Sequence, residues 1–107
     1  MDASQTLHAE KIVQELKKNN VTHSVWLPCS NTAAIHRAIK EEPSIHSVPV
    51  CREGESMAIA AGLWIGGKNP VVIVQNTGFF ESGDSIRGIC IGASIPMVIM
   101  IGYRGYT

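Results

Sequence analysis

Val71-Val72-Ile73-Val74 runs straight into Gln75-Asn76-Thr77-Gly78. An unbroken apolar run of this length has no polar face, so it reads as a strand covered on both sides, ending in a polar, Gly-containing loop. Immediately upstream, Gly66-Gly67-Lys68-Asn69-Pro70 is a helix stop. Before it, Glu53 to Ile65 reads as a helix whose Met57, Ala58, Ala60 and Ala61 allow close packing. The centre of the chain is therefore helix, strand, loop.

The same alternation extends outward. Toward the N-terminus lie a short strand at Ser47–Val50 and a helix from about Asn31 to Glu41, with Ser30 or Asn31 as N-cap and Pro43 as stop. Further back are a strand at Val21–Leu27 and an amphipathic helix from about Ser4 to Lys18, ended by Asn19-Asn20. Toward the C-terminus, a fourth helix is expected over Gly83–Ser94, a buried strand over Pro96–Ile101, and a loop at Gly102-Tyr103-Arg104-Gly105. The order α-β-α-β-α-β-α-β predicts one α/β domain over residues 1–107, a three-layer, doubly wound, mostly parallel sheet with helices on both faces. Such sheets usually have five or six strands. Four strands imply either a compact version or one whose C-terminal elements are missing.

Composition narrows the functional classes. The chain has 107 residues, 45% of them hydrophobic, and a formal net charge of zero, which argues against nucleic acid or an anionic membrane as the main partner. The longest uncharged run, Ile89 to Tyr103, is too short to span a bilayer and contains Pro96. Met1 to Lys11 shows no basic region followed by an apolar stretch, so no secretory signal is expected. Cys29, Cys51 and Cys90 form no C-x-x-C pair, so buried thiols in a reducing, cytoplasmic compartment are expected, without disulfide or zinc.

Ligands of open α/β sheets bind beyond the carboxyl ends of the strands. Four segments fall there: Pro28-Cys29-Ser30-Asn31, Cys51-Arg52-Glu53-Gly54-Glu55, Gln75-Asn76-Thr77-Gly78 and Gly102-Tyr103-Arg104-Gly105. Glu53 stands out, at the joint between a strand and a small-residue helix. A carboxylate there is stabilised by the helix dipole and can be a simple cap. In a partly dry setting it also needs a hydrogen-bond partner, and a ligand heterocycle in that role would exchange a proton with it. Glu55, two residues on, is expected to meet solvent. Gly62-Leu-Trp-Ile-Gly-Gly67-Lys68 imitates a P-loop, but Asn69 follows where Ser or Thr is needed, and it runs from helix into strand. His8, His23, His36 and His46 lack metal-ligand spacing; His8 is expected on a solvated face, and His36 at the surface rather than at the sheet edge near Ser30.

Arg52-Glu53-Gly54-Glu55-Ser56-Met57-Ala58-Ile59-Ala60-Ala61-Gly62 resembles the glutamate-helix motif of thiamine-diphosphate enzymes. With the Pro28–Asn31 loop, the Val71–Gly78 strand and loop, and Met100-Ile101-Gly102-Tyr103-Arg104-Gly105, nearly the whole chain is similar to their pyrimidine-binding domain. Within that family it resembles the sulfopyruvate decarboxylase α subunits and phosphonopyruvate decarboxylases.

The resemblance implies a 2-oxoacid decarboxylase acting on a small acidic substrate. Glu53 would hydrogen-bond N1′ of the cofactor's aminopyrimidine and favour its 4′-imino form, with Pro28, Asn76, Thr77 and Gly78 lining the cofactor. Ser30, Asn31, Arg87 and Arg104 would meet the substrate, the two arginines as anion clamps. The diphosphate and its Mg²⁺ would be held by a partner β subunit or domain carrying Gly-Asp-Gly…Asn, in a homo- or hetero-oligomer, with no metal ligand in this chain. Gly83-Asp84-Ser85 echoes that motif faintly but reads as a helix start. One departure is Phe79-Phe80-Glu81-Ser82-Gly83-Asp84-Ser85, where the family often has Leu-Gly-Asn after the glycine. The competing expectation is a non-catalytic doubly wound binding or regulatory module.

Overall fold

The computed structural model describes residues 3–103. The first helix, α1 (Ala3–Lys18), ends where Asn20 takes a left-handed φ of 60° and the Val21 amide donates back to the Leu16 carbonyl at 3.0 Å. This is the helix-terminating geometry that Asn tolerates better than most side chains. Strand β1 (His23–Trp26) follows. A 3-10 turn at Ser30–Thr32 leads into α2 (Ala33–Lys40), and β2 (His46–Pro49) comes next. Helix α3 spans Glu53–Ile65, as expected, and β3 covers Pro70–Gln75. The chain continues through α4 (Asn76–Glu81) and α5 (Gly83–Ser85), which runs on as a π-helical segment at Ile86–Ile91. Strand β4 (Val98–Gly102) is the last described element.

The four strands are all parallel, in the order β2-β1-β3-β4. The sheet is doubly wound. Chain order reverses between β1 and β3, so the connections leaving these two neighbours diverge to opposite faces. Trp26, Val71 and Ile73 pack with Val13, Ile39 and Ile45 on the α1–α2 side. Val25, Val72 and Val74 pack with Met57, Ala60 and Cys90 on the other. Every residue from Pro70 to Val74 is buried, which accounts for the unbroken apolar run. At the β4 edge, Val98 and Ile101 are exposed. No helix among the described residues is long and apolar enough to cross a membrane.

Helix α3 is built for close approach. Its first turn carries Glu53 and Glu55, which complement the helix dipole. Ser56, Met57, Ala60 and Ala61 form the buried stripe, at the spacing of one helix face. Gly67, at φ 86°, terminates it, with the Lys68 amide donating to the Leu63 carbonyl at 2.9 Å.

Several expectations change. Thr32, not Ser30 or Asn31, is the N-cap of α2, and its side chain makes no capping bond. The hydroxyl is taken instead by His36 Nε2, at 2.8 Å. His36 is not at the surface: it is 3% exposed and stacked on Trp26, with ring centroids 3.8 Å apart. Strand β1 is shorter than Val21–Leu27. The Thr22 amide donates to Asn69 O at 2.9 Å, outside the ladder.

Asn76-Thr77-Gly78 is the first turn of α4 rather than a loop. The helix expected over Gly83–Ser94 is two pieces, the second with i→i+5 bonding, as in Gly92 N to Arg87 O at 2.8 Å. Of the cysteines only Cys90 is buried; Cys29 is half-buried and Cys51 exposed. Glu55 and His8 are exposed, as expected.

Candidate functional site

Reversal of chain order between β1 and β3 puts the usual ligand position of this architecture, a crevice, at their carboxyl ends. Two elements meet there. Glu53 is the first residue of α3, following Arg52 in extended backbone. Gly78 sits in the first turn of α4, directly after β3.

The two residues are 25 positions apart in sequence and in contact in space. A β-carbon on Gly78 would collide with Cγ, Cδ and Oε1 of Glu53. The glutamate side chain therefore lies in the space that any other residue at position 78 would fill, with its carboxylate on the backbone of the α4 turn. Gly78 is buried and Glu53 half-buried. Ser56, fully buried one turn along α3, donates its hydroxyl to the Glu53 carbonyl and fixes the start of the helix.

Among the described residues, the Glu53 carboxylate has neither an ion pair nor a hydrogen-bond donor. A half-buried carboxylate without a donor is an acceptor held ready for a ligand nitrogen. Together, the glycine cradle and the open carboxylate fit an aminopyrimidine ring seated at this edge.

The surrounding residues are placed as follows. Asn76 and Thr77 precede Gly78 in the same turn, with the Thr77 amide donating to Asn76 Oδ1 at 3.0 Å. Ser82 Oγ donates to the Gly78 carbonyl at 2.7 Å, tying down the far side of the turn. Phe79 packs on the core beneath, whereas Phe80 is exposed. Pro28 and Ser30 are exposed on the connection after β1, and Asn31 belongs to the 3-10 turn.

Arg87 is on the π-helical segment, where both Nε and Nη2 donate to Asp84 Oδ1, at 3.2 and 2.7 Å. That pair lies at the exposed surface. Arg104 lies outside the described residues. Among the described residues, no three His, Cys, Asp or Glu side chains group as metal ligands would.

Sequence reasoning reached Glu53 and Gly78 separately but not their contact. It also missed Ser56 and Ser82, which hold the two turns. A Ser three residues into a small-residue helix and a Ser four residues after Gly78 were the available signals.

Residues 8–107 match the family described as thiamine pyrophosphate enzyme, N-terminal TPP binding domain. The sulfopyruvate decarboxylase subunit alpha of Methanocaldococcus jannaschii is 31% identical over 88% of this chain and 56% of its own length. The corresponding subunit of Methanothermobacter thermautotrophicus is 28% identical over 91% of this chain and 59% of its own. The phosphonopyruvate decarboxylase of Streptomyces viridochromogenes is 31% identical over 91% of this chain and 24% of its own. The chain thus spans somewhat more than half the length of these α subunits. With the match running over nearly all of its residues, the chain belongs to the family of thiamine pyrophosphate enzyme N-terminal TPP-binding domains.

Proposed function

We propose that residues 1–107 act as the pyrimidine-binding domain of a thiamine-diphosphate-dependent 2-oxoacid decarboxylase for a small acidic substrate of the sulfopyruvate or phosphonopyruvate type. The observation that carries this reading is the Glu53 carboxylate seated on the Gly78 backbone, half-buried and without a donor of its own.

Glu53 holds and exchanges a proton at N1′ of the aminopyrimidine. Gly78 fixes where its carboxylate sits, and Ser56 and Ser82 keep the two turns from shifting. Pro28, Asn76 and Thr77 border the ring. When bound, thiamine diphosphate supplies the carbon nucleophile and the electron sink for loss of CO2. Ser30 and Asn31 are proposed to meet the substrate's carboxylate end. Arg87 can serve its acidic head only by exchanging the exposed Asp84 pair, which is an inexpensive exchange. Arg104 is the second cation proposed for that head.

The diphosphate and Mg²⁺ belong to a partner domain or subunit, so activity needs both components. The naming of the methanogen relatives as alpha subunits supports this.

The test is CO2 release from sulfopyruvate and phosphonopyruvate by the chain with a diphosphate-binding partner, thiamine diphosphate and Mg²⁺. Activity should require both proteins and fall by about 10²–10⁴-fold in Glu53→Gln, the usual range for loss of a proton-transfer group. Cofactor binding without turnover of either acid would reject the substrate class. Failure of the pair to bind cofactor would leave a non-catalytic module.

A further inference from the structure

On the α1–α2 side of the sheet, away from the face against which α3 packs, a cavity of about 290 Å³ opens beside Trp26. Its walls are the indole, the Pro28-Cys29 backbone turn, and Ala33, His36, Arg37 and Lys40 of α2. No Asp or Glu lines it. Arg37 and Lys40 bring two positive charges, and among the described residues neither has a carboxylate within ion-pair distance. Lys40 Nζ instead stands over the indole, 5.7 Å from the ring centroid. Both cations thus line this hollow without an ion pair, Arg37 at its border with the α1–α2 cleft where Glu10, Glu41 and Glu42 lie.

His36 adds a polar wall. The ring is nine-tenths buried, and its Nε2 is engaged by the Thr32 hydroxyl at 2.8 Å. Its Nδ1 is buried with no partner, a cost that proteins rarely leave standing without a reason. In the tautomer that accepts the Thr32 hydroxyl at Nε2, the ring proton lies on Nδ1, which is then a donor for an acceptor. Burial, and then the Lys40 charge, push the His36 pKa down to about 4, so the ring is neutral near pH 7. The ring therefore adds no charge to the cavity wall.

The geometry points to a second ligand site, in which Arg37 and Lys40 bind a small oxyanion of the phosphate or sulfonate type against Trp26 and His36. The oxyanion is either free or the acidic head of a small organic acid. Of the residues proposed to line the Glu53–Gly78 crevice, the site shares only Pro28. It touches that crevice only through Pro28 and Cys29, whose turn leads on to Ser30. Occupancy would therefore stiffen the connection after β1, which gives an anion in this cavity a means of influencing the crevice.

Trp26 is a built-in reporter. The chain has two tryptophans, and Trp64 is exposed, so Trp64→Phe isolates the Trp26 emission. Titration of that variant with inorganic phosphate and with 3-sulfopyruvate should give a saturable change in at least one case, and pyruvate, which lacks the acidic head, should give none. Phosphate alone would mark a free or esterified phosphate; sulfopyruvate alone would mark an acidic 2-oxoacid.

Arg37→Gln with Lys40→Met, both at the surface and checked by a cooperative urea transition, should weaken binding by about ten- to a hundredfold, the worth of one or two charge-assisted contacts. Glu53→Gln should leave the response intact, which separates this site from the proposed catalytic one. Four results would each overturn it: no saturable response to either anion, an equal response to pyruvate, an equal response to chloride at matched ionic strength, or a response that survives the double substitution.

Discussion

Replacing Gly78 by alanine is the sharpest perturbation of the crevice, because its effect must pass through Glu53. The added methyl group overlaps Cγ, Cδ and Oε1 of the glutamate, and no other side chain lies so close. The glutamate is flexible and half-buried, so it can swing aside rather than force the backbone apart. Overpacking costs about 1–3 kcal/mol, while Gly-to-Ala inside a helix returns about 1 kcal/mol. The φ of Gly78 is not in the left-handed region, so alanine meets no backbone penalty.

Net stability should therefore fall by no more than about 2 kcal/mol, which a urea transition resolves. The carboxylate, however, moves by about the width of a methyl group. Misplacement of a reacting group by about 1 Å costs on the order of 10²-fold in rate. Decarboxylation by the partnered protein should thus drop about a hundredfold in Gly78→Ala.

The decisive comparison is the double variant. If Gly78→Ala acts by displacing Glu53, it has little left to remove once Glu53 is Gln, and the two losses are far from additive. An equal loss from Gly78→Ala in the wild-type and Glu53→Gln backgrounds would refute the reasoning. So would a Gly78→Ala protein of full activity.

Other outcomes test the scaffold. The folded-state pKa of His36 lies near 4, below its ordinary 6.5, so between these values the unfolded chain takes up a proton that the folded chain refuses. Its stabilising contribution is complete above about pH 6.5 and is lost as pH falls toward 4, by up to about 3 kcal/mol; His36→Phe should flatten that part of a stability–pH profile. Thr32→Val strands the buried His36 Nε2 and should cost about 1–3 kcal/mol by chemical denaturation. Met57 is fully buried between α3 and the sheet, and Met57→Ala should cost about 2–5 kcal/mol. In thiol titration of the native chain, exposed Cys51 should react quickly. Cys90, whose pKa burial pushes up, should react only on unfolding.

Much of this architecture is written in local pattern. The bounds of α3 follow from Glu53 at its dipole end, the Ala and Met run, and Gly66-Gly67 at its close. The double coverage of β3 follows from four consecutive apolar residues. Both depend on neighbours in sequence, and so does the placing of Glu53 at a strand-to-helix joint, which was enough to single it out. The α4 helix was not legible. Asn, Thr and Gly favour turns, and six residues carry no periodicity; the segment is helical because Phe79 anchors it to the core and Ser82 bonds back to Gly78. His36 was misplaced for a related reason: it shares the buried face of α2 with Ile39, but what makes an imidazole acceptable there is the stack on Trp26 and the bond to Thr32, which lie outside that helix.

Local chemistry therefore set the order of the elements, the parallel sheet and the identity of the candidate acid. Long-range packing set the rest: the collision volume between Glu53 and Gly78, the unsatisfied His36 and the charged hollow beside Trp26. Each of these arises between groups that the chain brings together only when β1 and β3 pair and their connections turn to opposite faces. Hydrophobic periodicity reports which face a residue turns inward, but not which distant atom it will meet there.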